Sequence, residues 1–300
     1  RLGGACSGAL ARRGCRRTRV GPWAAGDRLG RDSVHPEDWA RGAGAALPSL
    51  ALVKPFLLLA IRAEDEAADG EYESICRLGG LAPEHLHRVR MEQGPSGLAD
   101  GSLDLTAYSG VILGGGPYQR SDPDGGKAAA QLRVEAELDL LLDRVLAEGL
   151  PFLGLCYGIG VLGVHEGGLV DRAFGEPVGR LAVTVTEAGQ ADPLFAGLPL
   201  DFEAFGGHKE ALTAPPPGAV VLATSAACPV QAFRVGEHAY ATQFHPELDA
   251  EGLCTRIDVY AGYGYFPPEQ ASAMKADARS RDAVWPAEIL RRFVRRYAVA

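Results

Sequence analysis

From Val53 onward the apolar and polar positions fall into two alternating periods. "KPFLLLAI" is a continuous apolar run of strand length, expected to be buried on both faces, and "AEDEAADGEYESICRLGG" follows it as a helix with an acidic start. "HLHRVRME" alternates as a second strand, and "YSGVILGGGP" reads as a third that ends in a glycine loop. Between Lys127 and Leu150, Leu138, Leu141, Leu142, Val145 and Leu146 make a helical stripe. Glu135, Asp139, Asp143 and Arg144 lie off that stripe, and Gly149 marks the end of the helix. "PFLGL" is a fourth strand, and strands alternating with helices in this way predict parallel βαβ units in an α/β sandwich. After Gly168 the short β-type segments "RLAVTVTE", "AVVLATS", "VQAFRV" and "HAYATQF" predict an antiparallel extension of the sheet. The chain closes on a helix at "PAEILRRFVRRYA", and with no internal repeat or linker residues 53–300 read as one domain.

Residues 1–52 share none of this periodicity. They are rich in Arg, Gly and Ala, hold nine arginines against four acids, a balance of +5, and leave −13 of the chain's −8 for the remainder. This stretch is expected to be a disordered extension. Val53 is expected to mark the native start, read from an alternative start codon, so that residues 1–52 are not part of the native protein. The acidic main body argues against a nucleic-acid groove. No apolar run approaches the roughly 18 residues of a membrane span. Six scattered cysteines without a CxxC pair fit free thiols in a reducing, cytoplasmic setting.

Candidate chemistry gathers at three places. Gly154-Leu155-Cys156-Tyr157-Gly158 has the G-x-C-x-G form of a nucleophile elbow. There a sharp strand-to-helix turn exposes the thiol, and flanking glycines relieve crowding. The helix N-terminus then favours the thiolate and is expected to bring the Cys156 pKa well below about 8.5. In "QFHPEL", His245 and Glu247 stand two residues apart, which in extended chain turns both to one face. Pro246 biases His245 towards that conformation. The carboxylate then orients the imidazole to take the thiol proton. Finally, the loop "LGGGP", Leu113 to Pro117, follows a buried strand and offers amides to an oxyanion together with the N–H after the nucleophile. His85 and His87 lie two apart on a probable strand without companions at zinc spacing, so no metal site is expected. Tyr260, Tyr263, Tyr265 and Phe266 form an aromatic patch for which core packing is expected ahead of lining a pocket or docking a partner.

Glycine loop, elbow and late His-Pro-Glu in this order resemble the class I, or triad, glutamine amidotransferases, most of all the domain found in GMP synthase and its stand-alone relatives. The resemblance spans roughly residues 53–250 and includes "DPLFAGLP" and "GGHKEAL". It implies a flavodoxin-like three-layer sandwich with a mostly parallel central sheet and an antiparallel extension. It also implies Cys156 as nucleophile, His245 as base, Glu247 as the residue orienting it, and the amides of Gly116 and Tyr157 as the oxyanion hole. Gly115, Gly116, Gly160 and the backbone of Gly207 and His208 would border the substrate. Many family members carry glutamine where this chain has Gly160, and His208 and Lys209 are the candidates to compensate. The implied reaction splits the side-chain amide of L-glutamine, or another γ-glutamyl amide, through a thioester without a cofactor. With neither a P-loop nor an S-G-G-x-D-S loop in these residues, ammonia is expected to reach a separate synthetase subunit or to be released. A γ-glutamyl hydrolase or peptidase on the same scaffold is the alternative, and a non-catalytic regulatory relative is another.

Overall fold

The computed structural model describes residues 54–299. The expected extension over residues 1–52 and the start at Val53 lie outside the described residues. "FLLLA" forms β1 (Phe56–Ala60), buried throughout. Its side chains divide by the period of a strand. Phe56, Leu58 and Ala60 enter one apolar cluster, Leu57 and Leu59 another. On the first face lie α1 (Asp65–Gly79) and α7 (Trp285–Tyr297), through Ile75, Ile289 and Phe293. On the second lie α2 (Ala129–Glu148) and α3 (Tyr157–His165), through Leu138, Leu141, Leu142 and Leu162. Each such side chain contributes about 1.5–3 kcal/mol on burial, and the result is the expected three-layer sandwich.

β1 pairs in parallel with β2 (Leu86–Arg90) and β3 (Gly110–Leu113), and β3 with β4 (Phe152–Leu155). The remaining strands are β5 (Leu169–Asp171), β6 (Glu176–Val185), β7 (Asp201–His208), β8 (Ala211–Ala214), β9 (Val220–Thr224), β10 (Ala232–Val235) and β11 (Ala239–Thr242). The large sheet runs β2-β1-β3-β4-β11-β10-β9-β6-β7, antiparallel from β11 outward, while β5 and β8 pair separately.

Two details differ from the pattern read along the chain. "HAYATQF" belongs to the parallel half, because β11 lies beside β4 with Thr242 opposite Leu155. Its hairpin with β10 gives it an antiparallel look in sequence, but all four of its residues are buried, as a central strand requires. Glu135, off the leucine stripe, is also buried, where it takes Arg120 and Lys127 as ion-pair partners. Beyond the sheet, α5 (Ala250–Val259) and α6 (Ala271–Ser280) build a third apolar cluster with Phe205 of β7.

Candidate active site

β4 runs buried into Cys156, where the backbone turns to φ 51°, ψ −89°, the one positive φ outside glycine among the described residues. Holding a side-chain-bearing residue there costs on the order of 1–3 kcal/mol. The turn closes because Gly154 and Gly158 touch: a Cβ on Gly154 would lie 2.9 Å from the Gly158 carbonyl. Cys156 caps α3, and its own N–H donates to the Thr242 carbonyl at 2.8 Å, which ties the elbow to β11. The Tyr157 hydroxyl donates to Glu135 at 3.2 Å, so the buried acid of α2 holds the next residue of the turn. At the first helical position, the Tyr157 N–H has no acceptor within its own helix.

Past β11 the chain reaches His245, whose N–H donates to Phe205 of β7 at 2.9 Å. Its Nδ1 lies 2.7 Å from Glu247 Oε1, with both residues buried. Cys156, Tyr157, His245, Gly116, Gly160, Gly207 and His208 line one cleft, the concave setting in which small-molecule sites are built. Glu247 stands behind His245. Gly115 fills the corner between base and thiol, where a Cβ would come within 2.8 Å of His245 Cε1 and 3.4 Å of Cys156 Cβ. The Gly115 amide donates to Glu71 at 3.2 Å.

The surroundings of the thiol oppose the activation expected of a helix N-terminus. Cys156 opens on the cleft, yet burial pushes its thiol up to about 11, with Glu247 adding to the rise and Arg62 and Arg256 opposing it. Burial is also the largest influence on His245 and lowers its pKa, with Glu247 opposing. Burial disfavours the charged form of each group, which favours a neutral thiol beside a neutral imidazole in the free site.

Behind this pair lies a buried network that the sequence reading passed over. Arg62, just past β1, donates from Nε to Glu71 at 3.0 Å and from Nη1 to the Tyr260 hydroxyl at 3.0 Å. Arg256 donates from Nη2 to Glu247 Oε1 at 2.8 Å, lies 2.9 Å through Nη1 from His245 Nδ1, and pairs with Glu71 at 3.6 Å. Glu247 is held well below the usual carboxylate range, its burial outweighed by His245 and Arg256. A signal was present: Arg256 sits on the same helical face as Leu253 and Ile257, where an arginine must find partners. The aromatic patch also differs from expectation, because Tyr260, Tyr265 and Phe266 line the cleft. Lys209 Nζ sits 4.2 Å over the Tyr265 ring and donates to the Tyr263 carbonyl at 3.0 Å.

His208 borders the cleft, but its ring is engaged elsewhere, with Nε2 2.9 Å from Glu176 and Nδ1 2.8 Å from the Glu210 carbonyl. Glu176, His208 and Cys228 bring potential ligand atoms within 4.8 Å of one another. A cation there would displace bonds from His208, Ser225 and Gln231 to Glu176 and the Cys228 bond to the Val230 carbonyl. Of the two histidines first weighed as ligands, His85 lies in a turn at Pro83–His85, ahead of β2, and His87 bonds the Tyr108 hydroxyl.

Residues 85–252, the stretch carrying the glycine loop, the elbow and the His-Pro-Glu, match the class-I glutamine amidotransferase family. The chain belongs to that family. The GMP synthase [glutamine-hydrolyzing] of Thermus thermophilus is 37% identical over 139 residues, which are 46% of this chain and 24% of that protein. That of Listeria monocytogenes is 33% identical over 165 residues, 55% of this chain and 27% of the other. The alignments thus span about a quarter of these relatives. A glutamine amidotransferase from Thermotoga maritima superposes with a TM-score of 0.64 at 23% identity, covering 82% of this chain and 99% of its own. One from Methylobacillus flagellatus gives 0.61 at 16%, covering 83% and 97%. The fold is that of these amidotransferases. No helix among the described residues is long and apolar enough to cross a membrane.

Proposed function

We propose that the chain is a cysteine-dependent amidohydrolase that hydrolyses the side-chain amide of L-glutamine and supplies ammonia to a separate acceptor enzyme. The observation that carries this reading is Cys156, held at a strained elbow on the same cleft as the His245–Glu247 pair. Because thiol and imidazole start neutral, the proton passes from Sγ to His245 Nε2 as sulfur attacks the amide carbon. The Gly116 and Tyr157 amides receive the developing oxyanion. Collapse of the tetrahedral adduct breaks the C–N bond, and the imidazolium returns its proton to the leaving nitrogen, releasing ammonia and a γ-glutamyl thioester. Water then gives up a proton to His245, attacks the thioester and restores the thiol, with glutamate as product. Glu247 holds the ring in the required orientation throughout.

The main-chain end of the substrate meets an unusual wall. A Cβ on Gly160 would lie 3.5 Å from Glu210 Oε1, so that carboxylate borders the space a glutamine side chain would take. Glu210 accepts the amides of Arg120 at 2.7 Å and Ser121 at 2.8 Å. We assign it to the substrate's ammonium. A cytoplasmic location accords with the unpaired thiols of Cys76, Cys156, Cys228 and Cys254.

Ammonia release from L-glutamine tests the reading, with Cys156→Ala as control: release abolished in the variant is expected, and equal release from both refutes it. The aromatic wall of Tyr260, Tyr265 and Phe266 favours a second reading, a γ-glutamyl hydrolase acting on an amide with an apolar amine portion. Faster turnover of γ-glutamyl anilide than of glutamine would select it.

A further inference from the structure

His245 Nδ1 has two suitors. Glu247 Oε1 lies 2.7 Å away and can only accept, while Arg256 Nη1 lies 2.9 Å away and can only donate. A ring nitrogen offers either a proton or a lone pair in its plane. It therefore bonds one of these groups at a time. We propose that Arg256 competes with Glu247 for Nδ1, and so sets the fraction of His245 in the tautomer able to take the thiol proton at Nε2. This rests on the reading of His245 as the base. With the proton on Nδ1, the ring donates to Glu247 and leaves Nε2 free. With Nδ1 accepting from Arg256, the proton sits on Nε2 and the ring cannot serve as base.

Arg256 is held in this position. Its Nη2 bonds the same Glu247 oxygen at 2.8 Å, Glu71 pairs with it at 3.6 Å, and it is only 8% exposed. Glu71 is itself fixed by Arg62 at 3.0 Å. The charged groups around the imidazole are thus Glu247 from its own segment, Arg256 from α5, and Arg62 beyond β1, with Glu71 of α1 between the two arginines; Cys156 faces it from the elbow. Two guanidinium groups balance two carboxylates, so a proton added to His245 meets no net negative charge. Arg256 lies past residue 252, where the family match ends. It is a positioning residue, acting through the base.

Nitrogen NMR of the full chain labelled with 15N-histidine reads the tautomer directly, His245 being assigned by the signal lost in His245→Asn. At pH 8 the wild-type ring is expected to show both tautomers. In Arg256→Met the Nε2–H form is expected to fall at least twofold, and the imidazole midpoint to rise by about one unit, the shift expected when a like charge is removed at this range. Arg256→Lys keeps the charge without the two-pronged fork and is expected to keep the low midpoint. A wild-type ring wholly in the Nδ1–H form would overturn the proposal without any variant, which covers the case of Arg256→Met failing to fold. An Arg256→Met ring with unchanged tautomers would overturn it as well. These spectra need no turnover, so absence of ammonia release would count against the proposed reaction and leave the tautomer result standing.

Discussion

Alkylation of Cys156 in the ligand-free protein offers a direct measure of the balance between burial and the helix N-terminus. With the thiol pushed up to about 11, about one molecule in a thousand carries thiolate at pH 8. An unperturbed cysteine with a pKa near 8.5 has about one in four. The more basic thiolate is the better nucleophile by roughly an order of magnitude, from a Brønsted slope of about 0.4–0.5. The net expectation is iodoacetamide labelling about twentyfold slower than that of an exposed thiol, rising tenfold per pH unit through pH 9 to 10. Peptide mass mapping separates Cys156 from the other cysteines. The neighbours set the direction of each variant: Glu247→Gln removes a charge that raises the thiol and moves the profile to lower pH, whereas Arg62→Met removes a charge that lowers it and moves the profile up. A plateau in the wild-type rate below pH 8 would refute the reasoning, since it would reveal a stable thiolate–imidazolium pair.

Gly154→Ala places a methyl 2.9 Å from the Gly158 carbonyl, which should cost about 1–3 kcal/mol in urea unfolding; an unchanged midpoint would refute the tight elbow. Glu176 has its pKa lowered despite the opposing effect of burial, by bonds from His208, Ser225 and Gln231. The stability it contributes is therefore full above its ordinary value of 4.5 and is lost as pH falls through the lower folded value. Glu176→Gln should flatten this acid limb below about pH 4.5 in chemical denaturation, and an identical slope in the variant would count against it. Glu210→Gln should raise KM for glutamine about tenfold with kcat less affected, because it removes ground-state binding; a drop confined to kcat would place Glu210 in the chemistry instead.

The legible parts of this protein were those written in local pattern. The strand "FLLLA", the leucine stripe of α2 and the glycines around Cys156 each fix a local conformation, and their order predicts the parallel half of the sheet. The position of β11 was obscured because a tight hairpin and a central parallel strand impose the same local sequence, and only the pairing of Thr242 with Leu155 distinguishes them. In the candidate site, spacing pointed to Cys156, His245 and Glu247, and the structure brings His245 beside Glu247 and onto the same cleft as Cys156. Spacing said nothing of Arg62 and Glu71, which carry no motif, and for Arg256, which reaches Glu71 from far along the chain, the one signal was the apolar helix face it shares with Leu253 and Ile257. The setting of the thiol was illegible for a related reason, since a dipole is read from the elbow whereas desolvation depends on everything packed around it.

The long-range groups are also the ones on which the site's charge balance depends. Glu71 and Glu247 are both buried beside His245, and each retains one oxygen without a hydrogen-bond partner. Two such carboxylates without cations would draw protons onto themselves or onto the imidazole, and removing one partner of a buried pair typically costs about 3–5 kcal/mol. Arg62 answers Glu71 from the end of β1, and Arg256 answers Glu247 from α5. One of these cations precedes the matched segment at residues 85–252 and the other follows it. The segment with the recognisable motifs therefore carries the candidate nucleophile and base, while the flanking chain supplies the cations that balance Glu71 and Glu247 beside them.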